Sequence, residues 1–347
     1  MKKILLAAGL MAAPAMTMAT SSAALAQDDC DGLGRPVVFA GLDWDSNSFN
    51  NGIAAFILEN GYGCDTESIP GSTIPLLNGM IRGDIDITME MWIPNVKDAW
   101  DAAEADGTVR EVGTSYPDAT QAWYVPKYLV EGDDAPAAGL TSVSELPDYA
   151  GVFEDPEEPG KGRFYNCILG WGCEVINTKK LRAYGLTESY TNFRPGTGGA
   201  LASAIEAAIL REEPILFYYW GPTWVLGKIG DQVTPLEEPA YDETAWTALD
   251  SMAVEDVTAD TEATAYPTIS VSIAVNSEFG DAAPTITEFL GKYALDAQTI
   301  STGLAYMQDE SASADEAAEW WMQNNVETWT GWLPAEVAEK VKAALQS

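Results

Sequence analysis

Short apolar runs and longer amphipathic stretches alternate along this chain of 347 residues. Pro36-Val37-Val38-Phe39-Ala40-Gly41 reads as a buried strand, and Leu42 to Asn47 as the polar loop after it. A helical pattern from Ser48 to Glu59 stops at Asn60-Gly61. A strand over Asp65–Ile69, a helix over Thr73–Arg82 and a strand over Ile85–Met89 complete a βαβαβ alternation. That alternation predicts an α/β fold whose mainly parallel sheet is flanked by helices. A second run starts near Gln121 with Ala122-Trp123-Tyr124-Val125-Pro126. Phe164–Ile168 then leads into a loop closed by Cys167 and Cys173. Helices over Glu174–Ala183 and Ala200–Arg211 and a strand over Pro214–Trp220 follow. A last strand, Thr268–Val275, is expected to return the chain to the first part of the fold, with Pro267 near the crossing. Trp320, Trp321, Trp329 and Trp332 fall at helical spacings and are expected to be core.

The N-terminus breaks this pattern. Lys2 and Lys3 precede an apolar run from Ile4 to Met18, and the segment ends Ala24-Leu25-Ala26 before the polar Gln27-Asp28-Asp29. A basic start, an apolar middle and an A-x-A end predict a signal peptide over residues 1–26 and a periplasmic mature chain. The run is too short and alanine-rich for a membrane anchor, which takes about 20 strongly apolar residues. The remaining residues exceed what one core commonly holds, so two lobes are expected. Residues 27–120 with 268–347 would form lobe A, and residues 121–267 lobe B.

Four cysteines in a disulfide-permissive compartment allow three pairings. The most local choice joins Cys167 to Cys173, which leaves Cys30 for Cys64. Histidine is absent and no CxxC occurs, so no metal site is expected. The charge balance is 18 basic against 53 acidic residues, a net −35, which argues against nucleic acid or an anionic membrane as partner. The acidic residues are interspersed rather than blocked, as on a solvated surface.

An enzyme finds few candidate groups here. Without histidine the commonest general base and triad partner are missing, and no P-loop, GxSxG or dinucleotide fingerprint occurs. Carboxylate pairs such as Asp43 with Asp45 or Asp84 with Asp86 read as solvated by-products of acidic composition. No enzyme activity and no cofactor are expected. Trp44, Trp92, Trp171 and Trp220 point elsewhere, because each lies at or just past a predicted strand end, where ligands bind in open α/β sheets. Indole faces attract cations, and a cage of several suits a quaternary ammonium, which has no N–H to donate. In Cys167-Ile-Leu-Gly-Trp-Gly-Cys173, the amides of Gly172 and Cys173 would open a helix and favour an anion. Together these features suit a small ligand with a positive and a negative end. A disulfide-stapled loop with Trp171 in the core is the plainer alternative.

Three segments, in order, resemble the glycine betaine/proline betaine-binding proteins of ABC importers. Met91-Trp92-Ile93-Pro94 resembles that family's first Trp-x-Pro element, and Cys167 to Glu174 its loop ending Gly-Trp-Gly-Cys-Glu. Phe217-Tyr218-Tyr219-Trp220-Gly221-Pro222-Thr223-Trp224 resembles its Tyr-Tyr-x-Trp-x-Pro-x-Trp strand end. The resemblance implies a two-lobed, type II-like periplasmic binding protein that closes around its ligand by hinge motion. It implies a box of Trp92, Trp171 and Trp220, amides of Gly172 and Cys173 on the carboxylate, and a Cys167–Cys173 disulfide fixing the loop. Trp44 resembles an aromatic used by choline-binding relatives. The ligand would be a methylated onium zwitterion, glycine betaine, proline betaine or dimethylsulfoniopropionate, with choline, or a carbohydrate in an unrelated module, as the alternatives. The partners would be an inner-membrane permease with a cytoplasmic ATPase, and the protein a monomer. One position departs from the pattern: Val96 stands where betaine binders of this type often carry a histidine, with Lys97 beside it as one substitute donor.

Overall fold

A computed structural model describes Cys30 and residues 32–346, and the expected signal peptide at residues 1–26 lies outside them. Strand β1 (Val37–Leu42) is the apolar run read from the sequence and is almost wholly buried. It pairs in parallel with β2 (Thr66–Gly71) on one side and β3 (Ile87–Met91) on the other. Helix α1 (Asp45–Ile57) follows β1 and runs into a π-helical turn, Leu58–Tyr62, ended by Gly63 at φ 79°. Helix α2 (Thr73–Arg82) has the predicted bounds and ends at Gly83, also left-handed at φ 79°.

The next strand, β4 (Val109–Pro126), organises the molecule, and the sequence shows it only from Gln121 onward. From Val109 to Ala119 it lies antiparallel to β9 (Ile269–Asn276), and from Thr120 to Tyr124 antiparallel to β7 (Leu216–Gly221). Its end also pairs with β8 (Val233–Pro235). The sheet order is β2-β1-β3-β9-β4-β7-β5-β6, with β5 (Gly162–Tyr165) and β6 (Tyr190–Phe193) at the far edge. Each half thus carries a parallel triplet, β2-β1-β3 and β6-β5-β7, and every antiparallel pairing involves β4 or β9. The β4–β9 ladder shifts register at three places, and Asp118 sits at φ 61°. Such irregularities bend a strand and raise its twist, which turns one half of the sheet relative to the other.

Helix α3 (Lys97–Ala105) follows β3, and helices α4 (Gly172–Ala183) and α5 (Gly198–Arg211) follow β5 and β6. The C-terminal helices pack back on α1. Trp321, Trp329 and Trp332 are buried there as expected, with Trp321 edge-on to Phe49 at 6.3 Å, whereas Trp320 is half-buried and stacked on Tyr306 at 4.2 Å. Disulfides join Cys30 to Cys64 and Cys167 to Cys173. Asp86 corrects the expectation of solvated carboxylate pairs: it is 1% exposed, ion-paired with Arg35 at 2.7 Å, and accepts the Val38 N–H. Asp84 is exposed beside Arg82.

Inside the second half, Lys180 of α4 is fully buried and ion-paired with Glu238, which also accepts the Tyr184 hydroxyl at 2.9 Å. Its ammonium lies 4.1 Å from the Tyr266 ring centre and about 6 Å from Trp123, Trp246 and Tyr184. Desolvation holds the Lys180 pKa below its ordinary value and Glu238 opposes that shift. The protein therefore already solves one problem of caging an ammonium among aromatic rings. Lys180→Met should strand Glu238 as a buried charge and lower unfolding free energy by about 3–5 kcal/mol. Urea denaturation should show that loss, and K180M/E238Q should recover part of it.

Candidate functional site

Four tryptophans from separate elements meet where the two halves of the sheet adjoin. Trp44 is the N-cap of α1, directly after β1, and Trp92 follows β3 and opens the turn Ile93–Val96. Both stand at carboxyl ends of parallel strands. Trp171 is the N-cap of α4, and Trp220 lies near the end of β7. Trp171 is the centre of the group, edge-on to Trp44 (centroids 5.5 Å, planes 82° apart) and to Trp220 (5.1 Å, 87°). Trp92, Trp171 and Trp220 are buried and Trp44 is half-buried. With Thr73, Asn95 and Tyr218, and with Gly172 and Cys173, they line a small cavity of about 30 Å³.

Three of the four indole N–H edges turn away from this cavity toward carboxylates. Trp44 and Trp92 donate to Glu90 at 2.7 and 3.3 Å, and Trp171 donates to Asp43 at 2.6 Å. Satisfying the N–H groups elsewhere leaves a cavity wall that is nearly all carbon. Asp45, expected to be solvated, is instead drawn in beside the site, where burial raises its pKa and the Trp224 side chain opposes the rise.

The polar end of the cavity is the start of α4. Gly172 and Cys173 are its first two residues, so their N–H groups have no acceptor within the helix and carry the positive end of its dipole. The disulfide and Asn166 hold this loop. Asn166 accepts the Cys167 N–H at 2.6 Å and the Asn177 amide at 2.9 Å, and donates to Asn192 at 2.9 Å. Glycine is required at 172 by close approach, because a Cβ there would overlap the backbone carbonyl of Asn95 in the first half.

All six residues expected to bind ligand therefore line one cavity. The substitute expected at Lys97 does not: its ammonium pairs with Asp101 at 2.7 Å, away from the cage. Val96 is buried with Leu76 and Trp100 on the other face of the first half. The residue of that turn facing the cavity is Asn95, whose Nδ2 donates to Gln121 at 2.7 Å. Tyr218, Thr73 and Asn95 were missed. Tyr218 stands inside one of the quoted motifs and Asn95 directly follows another, whereas Thr73 carries no signal in sequence. A larger groove of about 650 Å³ on the outer edge of the first half, beside Glu59, Glu67, Asp315 and Glu319, brings no aromatic cage together with free amides.

An aromatic cavity facing helix amides across the junction of two α/β halves defines a two-lobed solute-binding protein. Solved relatives share that architecture: the glycine betaine/L-proline-binding protein of Borrelia burgdorferi superposes with a TM-score of 0.70 at 16% identity, covering 88% of this chain and 100% of that one. The family model for the substrate binding domain of ABC-type glycine betaine transport systems matches residues 35–324, and the chain belongs to that family. The glycine betaine-binding periplasmic protein OusX of Dickeya dadantii is 24% identical over 333 residues, 94% of this chain and 97% of that protein. The glycine betaine/proline betaine-binding periplasmic protein of Escherichia coli is 24% identical over 269 residues, 75% of this chain and 77% of that protein. Members of the family are binding components of transporters rather than enzymes, with a small-molecule ligand and a membrane permease as partners. Among the described residues no helix is long and apolar enough to cross a membrane.

The loop's dependence on Asn166 is testable without any ligand. Asn166→Ala leaves the buried Cys167 N–H and Asn177 amide unpaired, and each such group costs about 1–3 kcal/mol. Chemical denaturation should show a loss in that range, and an unchanged midpoint would mean that the loop is held by the disulfide alone.

Proposed function

We propose that this chain is the periplasmic receptor of an ABC importer for a methylated onium zwitterion: glycine betaine, proline betaine or dimethylsulfoniopropionate. One observation carries the reading: Trp44, Trp92, Trp171 and Trp220 converge on a cavity that ends at the unpaired amides of Gly172 and Cys173. Each indole face is worth about 0.5–2 kcal/mol to a cation, most when desolvated as here. The amides at the helix start would take the carboxylate. A sugar ring would need many more side-chain donors and acceptors than Thr73, Asn95 and Tyr218 provide.

The lobes would be residues 27–120 with 268–347, and residues 121–267. The change of partner along β4 between Ala119 and Thr120, and the return at Ile269, support that division. Contacts across it support closure as the binding step. Trp171 bonds Asp43, the Ile74 N–H bonds the Gly170 carbonyl at 3.1 Å, Trp246 bonds the Pro94 carbonyl at 3.0 Å, and the Asp98 N–H bonds Asp250 at 2.8 Å. Opening would break all four and expose the cage. The mature protein would follow cleavage after Ala26, act as a monomer, and deliver its ligand to a permease driven by a cytoplasmic ATPase.

Choline is the second reading, favoured by one observation. Among the described residues no lysine or arginine lines the cavity, while Glu90 and Asp43 lie just behind its walls, a setting that suits a net cation. Calorimetric or tryptophan-fluorescence titration with glycine betaine, proline betaine, dimethylsulfoniopropionate, choline and a sugar panel separates the cases. Binding of an onium zwitterion is expected, and binding to sugars alone would sink the proposal. Trp171→Ala should weaken the preferred onium ligand by about tenfold or more, about 1.4 kcal/mol, with the unfolding midpoint little changed.

With that ligand saturating, Gly172→Ala should keep the halves from meeting, because its Cβ needs the space of the Asn95 carbonyl. X-ray scattering is expected to give a larger radius of gyration than for the unsubstituted protein. Superimposable curves would show that the contact yields without opening the cleft.

A further inference from the structure

Glu90 is a buried acid that neither the aromatic cage nor the helix amides account for. It lies in β3, 1% exposed, between the core and the two tryptophans of the first half. Its Oε2 accepts the Trp44 N–H at 2.7 Å, the Trp92 N–H at 3.3 Å and the Tyr116 hydroxyl at 3.0 Å. Its Oε1 accepts the Asn50 amide at 2.9 Å, and the Asn50 oxygen in turn accepts the Tyr293 hydroxyl at 2.5 Å. Every one of these partners is a neutral donor. Among the described residues no lysine or arginine forms an ion pair with it.

That combination is unusual for a stable core. A carboxylate removed from water without a countercharge is strongly penalised, and hydrogen bonds repay only part of the penalty. Elsewhere in this chain the buried acids Asp86, Asp155 and Glu238 each have an arginine or lysine partner. Burial pushes the Glu90 pKa upward, and the Trp44, Ser46, Tyr116 and Trp92 donors hold it down. Two of those donors are indoles whose rings form the cavity wall. A cation in the cavity would therefore sit on one side of Trp44 and Trp92, with Glu90 on their N–H edge.

Resting on the onium reading of this site, we propose that Glu90 is the countercharge of the bound onium group. It acts through Trp44 and Trp92 as a positioning residue that makes the site select positive charge over shape. A carboxylate on an indole N–H also donates electron density toward the ring, which strengthens the attraction of its face for a cation. In a wall of low polarity the charge is little screened, so its influence crosses the width of a ring.

The test compares ligands of one shape and two charges. Glycine betaine is paired with 3,3-dimethylbutanoate, and choline with 3,3-dimethylbutan-1-ol, in each of which carbon replaces the charged nitrogen. The preference for nitrogen over carbon in the pair that binds is measured for the unsubstituted protein and for Glu90→Gln, which keeps the shape and loses the charge. Glu90→Gln is expected to reduce that preference by about tenfold or more, with the carbon analogue bound as well as before or better. Equal weakening of both ligands would assign Glu90 a packing role only and overturn the proposal, as would no change in either. Should Glu90→Gln fail to fold, infrared spectroscopy of the unsubstituted complex at neutral pH decides. No protonated-carboxyl stretch is expected, and one that persists with the onium bound overturns the proposal. An unsubstituted protein that binds no onium compound overturns the receptor reading itself, and this inference with it.

Discussion

The indole rings of Trp44, Trp92 and Trp171 can share one small cavity with Trp220 only if their N–H groups are satisfied somewhere else. An indole is amphipathic, with a broad apolar face and one strong donor on its edge, and a buried donor left unpaired is costly. Here Glu90 takes the N–H groups of Trp44 and Trp92, and Asp43 takes that of Trp171. These bonds fix the rotation of each ring, and with it which surface meets the cavity. The carboxylates are as much part of the cage as the rings, although neither lines it.

The backbone supplies the rest through two ordinary devices. Strands of a parallel sheet deliver Trp44 and Trp92 at their carboxyl ends, and a helix start delivers amides without acceptors. What brings them together is β4, a single strand that serves both halves of the sheet and is bent by its bulges between them. Asp43 and Trp171 are 128 residues apart and meet only because that strand folds one half against the other. Gly172 marks how near the halves come, since the Asn95 carbonyl occupies the space a side chain would need.

Much of this was legible in the sequence, for reasons that also explain the gaps. The βαβαβ start could be read because β1 is a continuous apolar run, β3 alternates Ile87, Met89 and Met91 with polar residues, and α2 ends at a glycine. The tryptophans could be read because their places at strand ends, and their motifs, are local. The first half of β4 could not, because Gly113, Pro117 and Asp118 interrupt its alternation at the places where the ladder slips register. Helix α1 begins at Asp45 rather than Ser48 because Trp44, with no side-chain oxygen to cap it, is nevertheless its N-cap. Glu90 was invisible for a different reason: one acid in an acidic chain says nothing until its distant neighbours Tyr116, Asn50 and Trp44, 26 to 46 residues away, are known. Lys97 failed in the opposite way, since adjacency in sequence suggested a donor that the turn points toward Asp101 instead.

Charge acts on this molecule at two ranges, and only one of them discriminates ligands. The net charge of −35 is spread over a solvated surface, where screening confines each charge to about 8 Å at physiological ionic strength. Such a field raises the concentration of any cation near the cleft, potassium as readily as an onium compound. Inside, water is displaced by indole carbon, and the few charges that remain act at nearly full strength. A small hydrated ion would have to give up strong bonds to water to enter, whereas a methylated onium is weakly hydrated and gives up little. On the proposed reading, rejection of common cations and acceptance of an onium group would follow from the same dry wall. The polar start of α4 would then distinguish among onium compounds by what their other end offers to two N–H groups.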